Sequence, residues 1–351
     1  MTDWGGMRVL LTGHTGFKGA WACRWLARAG AEVTGLALPP EPAANLSEIL
    51  GVGHLAASHY VDLRDADALG PIVRKAQPDL VMHLAAQPLV RRSYQDPLET
   101  FSSNVMGTAN LLEALRCHHM PRAVLVVTSD KVYENDASGH AYQETDRLGG
   151  HDPYSASKAA TEIVVASYRR SYFAEAGVPL VTARGGNVVG GGDFGEDRLI
   201  PDILRAISVG QSVTLRNPGA TRPWQHVLDC LSGYFSYCEA ALSGRAPLPE
   251  VLNFGPQQDG IGLSVKTVAE NLYAAMGIAP DIITDGGETL HEMAKLSIDS
   301  RAAQRGLGWR PKLNAEATIA QTAAWYAAYL GGENMTAVTD KQIDSYLERD
   351  E

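Results

Sequence analysis

Short apolar runs alternate with stretches of helical periodicity through the first half of the chain. The runs are Arg8 to Leu11, Ala31 to Leu38, His59 to Val61, Asp79 to Leu84, Ala123 to Thr128 and Leu180 to Arg184. Near-continuous apolar strands separated by crossover helices are the mark of a parallel sheet covered on both faces. After about Gly185 the rhythm breaks into glycine- and proline-rich loops with shorter elements, ending in the helical stretch Ala315 to Leu330. Residues 1–185 are therefore expected to form the sheet domain. Residues 186–330 are expected to form mainly a smaller lobe over the carboxyl edges of the strands, with some elements returning to the first domain, and 331–351 a polar C-terminal tail on the surface.

Composition sharpens this only in places. With 351 residues, 45% of them hydrophobic, the chain can bury the core of one large or two modest domains. A formal charge of −10 argues against a nucleic-acid surface and means that any bound diphosphate needs local arginines. The opening Met1-Thr2-Asp3-Trp4-Gly5-Gly6 is too polar for a signal sequence, and no run reaches the ~18 apolar residues of a membrane span. A cytoplasmic protein with no membrane or nucleic-acid partner is expected. The four cysteines, Cys23, Cys117, Cys230 and Cys238, form no Cys-x-x-Cys pair and read as reduced packing residues, with no metal site.

Chemistry enters with Thr12-Gly13-His14-Thr15-Gly16-Phe17-Lys18-Gly19, set between the strand-like Val9-Leu10-Leu11 and the helical Ala20 to Leu26. Gly13 permits a tight turn, Gly16 lets the backbone approach a pyrophosphate, and Gly19 brings helix against strand, with the helix N-terminus facing the anion. The expected fold is thus α/β, a Rossmann-type doubly wound parallel sheet with a smaller C-terminal substrate-binding lobe. Downstream, Tyr154 and Lys158 are spaced by about one helical turn, so an ammonium can lie beside a phenol and favour phenolate over its ordinary pKa of ~10. Such a tyrosine can take the proton of a sugar hydroxyl while a nicotinamide takes the hydride.

With His83-Leu84-Ala85-Ala86-Gln87, the Tyr154/Lys158 pair and the run Gly185 to Asp193, the chain resembles the extended short-chain dehydrogenase/reductases that act on nucleotide sugars, almost end to end. Within them it is most similar to the CDP-glucose 4,6-dehydratase family. The specific matches are Gly13 to Trp21, Gln87 to Tyr94, Ser129 to Asn135, Arg216-Asn217-Pro218, Arg222 to Val227 and Thr339 to Tyr346. The dTDP-glucose dehydratases carry an Asp-Glu pair where this chain has Asp130-Lys131.

The resemblance implies a hydro-lyase that makes a 4-keto-6-deoxy sugar by oxidation at carbon 4, water loss across carbons 5 and 6, and reduction at carbon 6. Tyr154 would be the base on the 4-hydroxyl, Lys158 its tuner and the grip on the nicotinamide ribose, and Ser129 the donor to the developing carbonyl. Asp130 would protonate the departing 6-hydroxyl, and Lys131 would take the carbon 5 proton. Cofactor contacts are expected from Gly13, Thr15, Gly16, Phe17, Lys18, Gly19, Asp62, Leu63, Leu84, Ala85, Ala86, Tyr154 and Lys158. Substrate contacts are expected from Gln87, Asn187, Arg198, Arg216, Arg222 and His226. NAD is the expected cofactor and NADP the alternative, because Gly35 to Pro40 offers neither the acid usual for NAD nor an arginine for a 2′-phosphate.

Open alternatives are a dehydratase for dTDP-glucose or GDP-mannose, a nucleotide-sugar 4-epimerase, and a non-catalytic dinucleotide-binding module. An epimerase has no use for an acid and base at carbons 5 and 6, and a non-catalytic module would not need both Tyr154 and Lys158. His291-Glu292 falls at a family motif and is given no catalytic role. A homodimer or higher homo-oligomer is expected from the family's helix pairing, motivated here by Ile163, Val164 and Val165 on the Tyr154 helix. The implied end use is deoxysugar for surface polysaccharide such as lipopolysaccharide O-antigen.

Overall fold

The computed structural model describes residues 4–41, 44–136, 138–256, 263–284 and 296–349; His291-Glu292 lies outside them. Seven strands of the described residues form one parallel sheet: β1 (Arg8–Thr12), β2 (Glu32–Ala37), β3 (Ala56–Tyr60), β4 (Leu80–His83), β5 (Ala123–Val127), β6 (Leu180–Gly185) and β7 (Val251–Phe254), in spatial order 7-6-5-4-1-2-3. The period of two sorts their side chains between two faces. Leu10, Val81, Val124 and Val126 join one buried cluster, while Val9, Leu11, Leu80, Met82 and Leu125 join the other. Each such side chain contributes about 1.5–3 kcal/mol by leaving water.

The order reverses between β1 and β4, where Thr12 stands beside His83. That switch point opens a crevice at the carboxyl ends of the strands, the place where open α/β sheets take ligands. Helix α1 (Phe17–Arg28) makes the β1-to-β2 crossover, and α2 (Ala66–Ala76) and α3 (Gly107–His118) cover the first face. Helix α4 (Pro153–Tyr168) lies between β5 and β6 in the chain; α5 (Leu199–Val209), α6 (Val227–Leu242) and α7 (Val265–Ala275) follow.

One feature follows the expectation that some later elements return to the first domain, and one departs from the expected pattern. Strand β7 comes from beyond the point where the rhythm breaks, yet pairs in parallel with β6, from Val251 beside Thr182 to Phe254 beside Gly185. The polar C-terminal stretch is not merely a surface wrap. Helix α8 (Ala315–Leu330) is followed by α9 (Met335–Leu347), which buries Met335, Thr339, Ile343 and Tyr346. Tyr346 meets Trp25 of α1 edge-on at 5.9 Å, and Arg24 and Arg28 of α1 pair with Asp340. Cys23, Cys230 and Cys238 are buried, as packing residues should be, whereas Cys117 is exposed beside Glu113. Among the described residues no helix is long and apolar enough to cross a membrane.

Candidate active site

The turn from β1 into α1 is shaped by missing side chains. Gly13 has φ 75°, and a Cβ there would come within 2.8 Å of the Ala85 amide; one on Gly19 would overlap the Gly13 carbonyl. Gly16 caps α1 with no side chain, leaving the first-turn amides to face an anion. The loop is braced from below by His83, whose Nδ1 lies 2.7 Å from Thr12 Oγ1 and whose Nε2 lies 2.9 Å from Thr108 Oγ1. Thr12 Oγ1 accepts the amides of Leu84 and Ala85, which sets Leu84-Ala85-Ala86 across from the glycines. The close-approach glycines and the uncapped helix start fit a dinucleotide.

At the edge of this crevice, Thr15 Oγ1 donates to Leu38 O at 3.0 Å. The end of β2, where an acid is usual, is covered instead by the buried His14 ring, which a Cβ on Gly35 would meet at 2.5 Å. Burial pushes His14 down to about 4, so its ring is neutral. Asp62 is occupied by its neighbour: the Arg64 amide donates to it at 2.9 Å and the Arg64 guanidinium grips both oxygens, which holds the carboxyl below its usual range. Leu63 is turned into the core.

Asp152 and Pro153 start α4 where the sequence dictates. The Asp152 carboxylate accepts the Ser155 amide at 2.9 Å, and proline takes the first helical position. Ser93 Oγ accepts the Tyr154 amide at 3.1 Å, fixing the helix against the segment after β4. Tyr154 and Lys158 then follow on one face, both buried. Lys158 Nζ donates to Val127 O at 3.2 Å. Burial, and next the Lys18 cation, push Lys158 down to about 7, with Glu162 opposing.

Tyr154 is pushed up to about 12, chiefly by burial, with a Ser129 hydrogen bond working the other way and Asp130 adding to the rise. This corrects the expectation of a phenolate favoured by Lys158. In the protein alone both groups are stripped of water, and each is biased to its neutral form.

The end of β5 supplies the other reactive groups. Ser129 Oγ accepts the Lys131 amide at 3.2 Å and donates to Asp130 Oδ1 at 3.1 Å. Lys131 Nζ stands 3.7 Å from the same oxygen, while Asn187 Nδ2 donates to Asp130 Oδ2 at 2.9 Å. Asn187 does so from φ 50°, a left-handed conformation that asparagine tolerates. A side chain on Gly186 would overlap the Asp130 carboxylate. Asp130 is fully buried; Lys131 keeps 21% of its side chain exposed.

A cleft of about 340 Å³ joins these parts. Ser129, Asp130, Lys131, Tyr154, Asn187, Arg198, Arg216 and Arg222 line it, with Phe17 and Lys18 at the turn of α1. Arg198 Nη1 donates to both Asp193 oxygens at 2.8 Å, and Arg216 Nη1 to Asp197 at 2.9 Å. Arg222 Nη1 donates to the Thr221 carbonyl at 3.0 Å. Arg91, not among the expected site residues, reaches Asp197 at 3.5 Å and lines the same wall.

Two expected substrate residues stay out of the cleft lining. Gln87 spends its amide bracing its own loop, donating to Thr100 Oγ1 and Leu89 O and accepting the Leu89 amide. His226 is fully buried and uses Nδ1 to accept the Leu228 amide at the start of α6, with burial pushing its pKa down to about 3. The structure revises both to supports of the site's walls. Sequence reasoning also missed Glu162 and Arg184, buried directly behind Tyr154 and Lys158.

Comparison with known proteins agrees with this geometry. Residues 9–255 match the model of the NAD dependent epimerase/dehydratase family. The chain is 41% identical to a CDP-glucose 4,6-dehydratase of Salmonella typhimurium, covering 98% of this chain and 97% of that protein. It is 26% identical to a dTDP-glucose 4,6-dehydratase of Shigella flexneri, covering 92% and 93%. Among solved structures, a dTDP-glucose 4,6-dehydratase from Streptomyces venezuelae with NAD bound superposes with a TM-score of 0.79 at 26% identity, covering 93% of this chain and 99% of that one. A UDP-glucose 4-epimerase from Thermus thermophilus in complex with NAD gives 0.77 at 28%, covering 91% and 98%.

Proposed function

Since the chain belongs to the NAD dependent epimerase/dehydratase family, we propose that it is a CDP-glucose 4,6-dehydratase, converting CDP-glucose to CDP-4-keto-6-deoxyglucose and water. The observation that carries this reading is the Asp130-Lys131 pair held in the same cleft as Tyr154. An epimerase needs only the tyrosine and its lysine; an acid and a base at a strand end are what elimination adds. The choice of CDP-glucose is supported by the high identity to the Salmonella enzyme along nearly the whole of both chains.

NAD, when bound, supplies the reversible hydride acceptor that lets carbon 4 be oxidised and carbon 6 later be reduced. The glycine turn, the amides of the first turn of α1 and Lys158 would hold it. NAD rather than NADP is supported by the lack of any arginine in Gly35 to Pro40 and by the NAD in the Streptomyces and Thermus structures.

The chain's own residues then move protons. Tyr154 Oη, as the phenolate that a charged Lys158 would favour once cofactor and sugar fill the cleft, accepts the proton of the 4-hydroxyl as carbon 4 is oxidised, and Ser129 Oγ donates to the new carbonyl. That carbonyl acidifies the proton on carbon 5, which Lys131 Nζ removes as the neutral amine, its own proton having passed to Asp130 across the pair. Asp130 protonates the 6-hydroxyl, which leaves as water and opens a double bond between carbons 5 and 6. As carbon 6 is reduced, Lys131 returns a proton to carbon 5. The proton left on Tyr154 equals the one Asp130 gave up, so one net transfer resets the site. Arg198, Arg216, Arg222 and Arg91 would grip the diphosphate, exchanging Asp193 and Asp197 for phosphate oxygens.

A homodimer is part of the same proposal. Ile163 on α4 is exposed beside Leu98, Phe101 and Met106 of the adjoining helical segment, whereas Val165 packs in the chain's own core and contributes nothing to such a face. Light scattering that finds only the 37.6 kDa species at micromolar concentration would remove the dimer. The function itself is tested by incubating the protein separately with CDP-glucose, dTDP-glucose, UDP-glucose and GDP-mannose, with NAD or NADP, and following mass. Loss of one water from CDP-glucose alone is expected. An unchanged mass with a new carbon 4 epimer would assign the chain to the epimerases, and no change with any sugar would support a non-catalytic module.

A further inference from the structure

Glu162 follows Lys158 on α4 by the same one-turn step that separates Lys158 from Tyr154. It is a carboxylate buried behind the reactive groups, with donors on both oxygens. Thr128 Oγ1 donates to Oε1 at 2.5 Å and Thr182 Oγ1 to Oε2 at 2.9 Å. Arg184 closes the set, with Nε at 3.0 Å from Oε1 and Nη2 at 3.1 Å from Oε2. Arg184 is itself buried and donates Nη1 to Tyr133 Oη at 2.9 Å, and Tyr133 in turn donates to Asn253 of β7 at 2.6 Å.

The identity of these partners matters more than their number. Thr128 immediately precedes Ser129-Asp130-Lys131, and Tyr133 follows that segment two residues later. Arg184 immediately precedes Gly185-Gly186-Asn187, whose last residue holds Asp130. Glu162 therefore touches each of the backbone segments that carry the reactive side chains: the helix with Tyr154 and Lys158, the end of β5 and the end of β6. We infer that Glu162, paired with Arg184, is a positioning residue that locks these segments in register and sets the charge state available to Lys158.

This inference rests on the reading of Tyr154 and Lys158 as the oxidising pair, which the experiment below checks separately. The charged groups around Lys158 give its direction. Lys18 on α1 opposes a second cation, the buried His83 of β4 is neutral, Asp130 bears on Tyr154, and Glu162 is the anion that supports the ammonium. Removing Glu162 leaves Arg184 as an unpaired buried cation, which disfavours Lys158 ammonium further. Removing Arg184 leaves Glu162 unpaired and favours it. A residue that served stability alone would not give shifts of opposite sign.

The test uses the full chain labelled with 13C at lysine Cε, with the Lys158 resonance assigned by its loss in Lys158→Arg. Glu162→Gln is expected to lower the Lys158 titration midpoint by on the order of half a pH unit or more, and Arg184→Met to raise it by less, while the double variant falls between the parent and Glu162→Gln. The alkaline limb of kcat for water loss from CDP-glucose should move with the midpoint. Singles that leave the midpoint in place, or move it in the same direction, overturn the inference.

Should either single fail to fold, the neutral double variant decides through kinetics, because no buried charge is left unpaired. A kcat lowered about tenfold at unchanged KM is expected from lost register, and an unchanged kcat overturns the inference. If the parent protein itself releases no water from CDP-glucose, the proposed function fails, while the Lys158 titration still judges the role of Glu162.

Discussion

The helix end and the strand end that meet at the cleft hold their reactive groups in different ways. At the helix end, Tyr154 and Lys158 are sealed among buried side chains, and behind them Glu162 and Arg184 leave no oxygen of the carboxylate unsatisfied. At the strand end, the Asp130 oxygens are shared among Ser129, Asn187 and a lysine still partly in solvent at 3.7 Å. The first end is rigid and dry, which suits a proton moved in step with a hydride, where distance decides the rate. The second has a loosely held lysine, which suits groups that must each gain and lose a proton within one turnover. A buried pair with every donor placed is structural framework; a half-buried pair with slack is where elimination is done.

The largest effect that would break this contrast comes from Tyr154→Phe. It should lower turnover toward the upper end of the roughly 10²–10⁴-fold range for a lost acid–base group, with no reduced cofactor formed on mixing with CDP-glucose. Reduced cofactor in that variant would remove Tyr154 as the base. Lys131→Met separates the two ends. Turnover should drop by about 10²-fold while reduced cofactor accumulates with bound sugar and exchange of the carbon 5 proton with solvent stops. Undiminished exchange, read by deuterium uptake, would take the base role from Lys131.

Asn187→Ala touches the slack end more gently. Losing one hydrogen bond to a buried carboxylate and placing alanine at φ 50° should cost about 2–3 kcal/mol in thermal unfolding, with a smaller loss of turnover than Lys131→Met. An unchanged melting temperature would show that Asn187 does not hold Asp130.

A pH-dependent effect sharpens the picture of the helix end. Lys158 sits at about 7 in the fold against an ordinary 10.5, so between those values the unfolded chain binds more protons and stability rises with pH. Lys158→Met lacks this contribution. Its gain in melting temperature over the parent should be greatest at and below pH 7 and shrink as pH climbs toward 10.5. A gain independent of pH would mean that Lys158 keeps its charge in the fold.

How far the sequence discloses this molecule depends on the range of the interactions. Strands β1, β2, β4, β5 and β6 are legible because each is a mainly apolar run next to its crossover helix, whereas β3, half-exposed and polar at Ser58 and His59, meets the expected run His59 to Val61 at two residues; the turn at Gly13 to Gly19 is legible because close approach admits only glycine. Strand β7 is four residues long, and its central Asn253 is polar; only the distant acceptors of the buried Asn253 amide, Tyr142 O and Asp299 O, make it a core position. Helix α9 carries its signal in Met335, Thr339, Ile343 and Tyr346, a stripe that polar neighbours obscure. At the site, Ser129, Asp130, Lys131, Tyr154 and Lys158 are found by local motif. Glu162 and Arg184 are 22 residues apart and look like solvent-facing charges until the sheet brings them together, although the repeat of the Tyr154-to-Lys158 step was there to be read. The burial that pushes Tyr154 up to about 12 is likewise a property of the packed protein and not of the spacing.

The division of labour between the two ends requires that the hydride taken at carbon 4 never leave the site before it is returned at carbon 6. CDP-glucose carrying deuterium at carbon 4 tests this directly, with the product analysed by mass and NMR after turnover in ordinary water. Deuterium retained in full at carbon 6 is the expected result. Loss of the label to water, or its return to carbon 4 with the opposite stereochemistry and no water lost, would contradict the dehydratase and the assignment of Asp130 and Lys131 to its elimination.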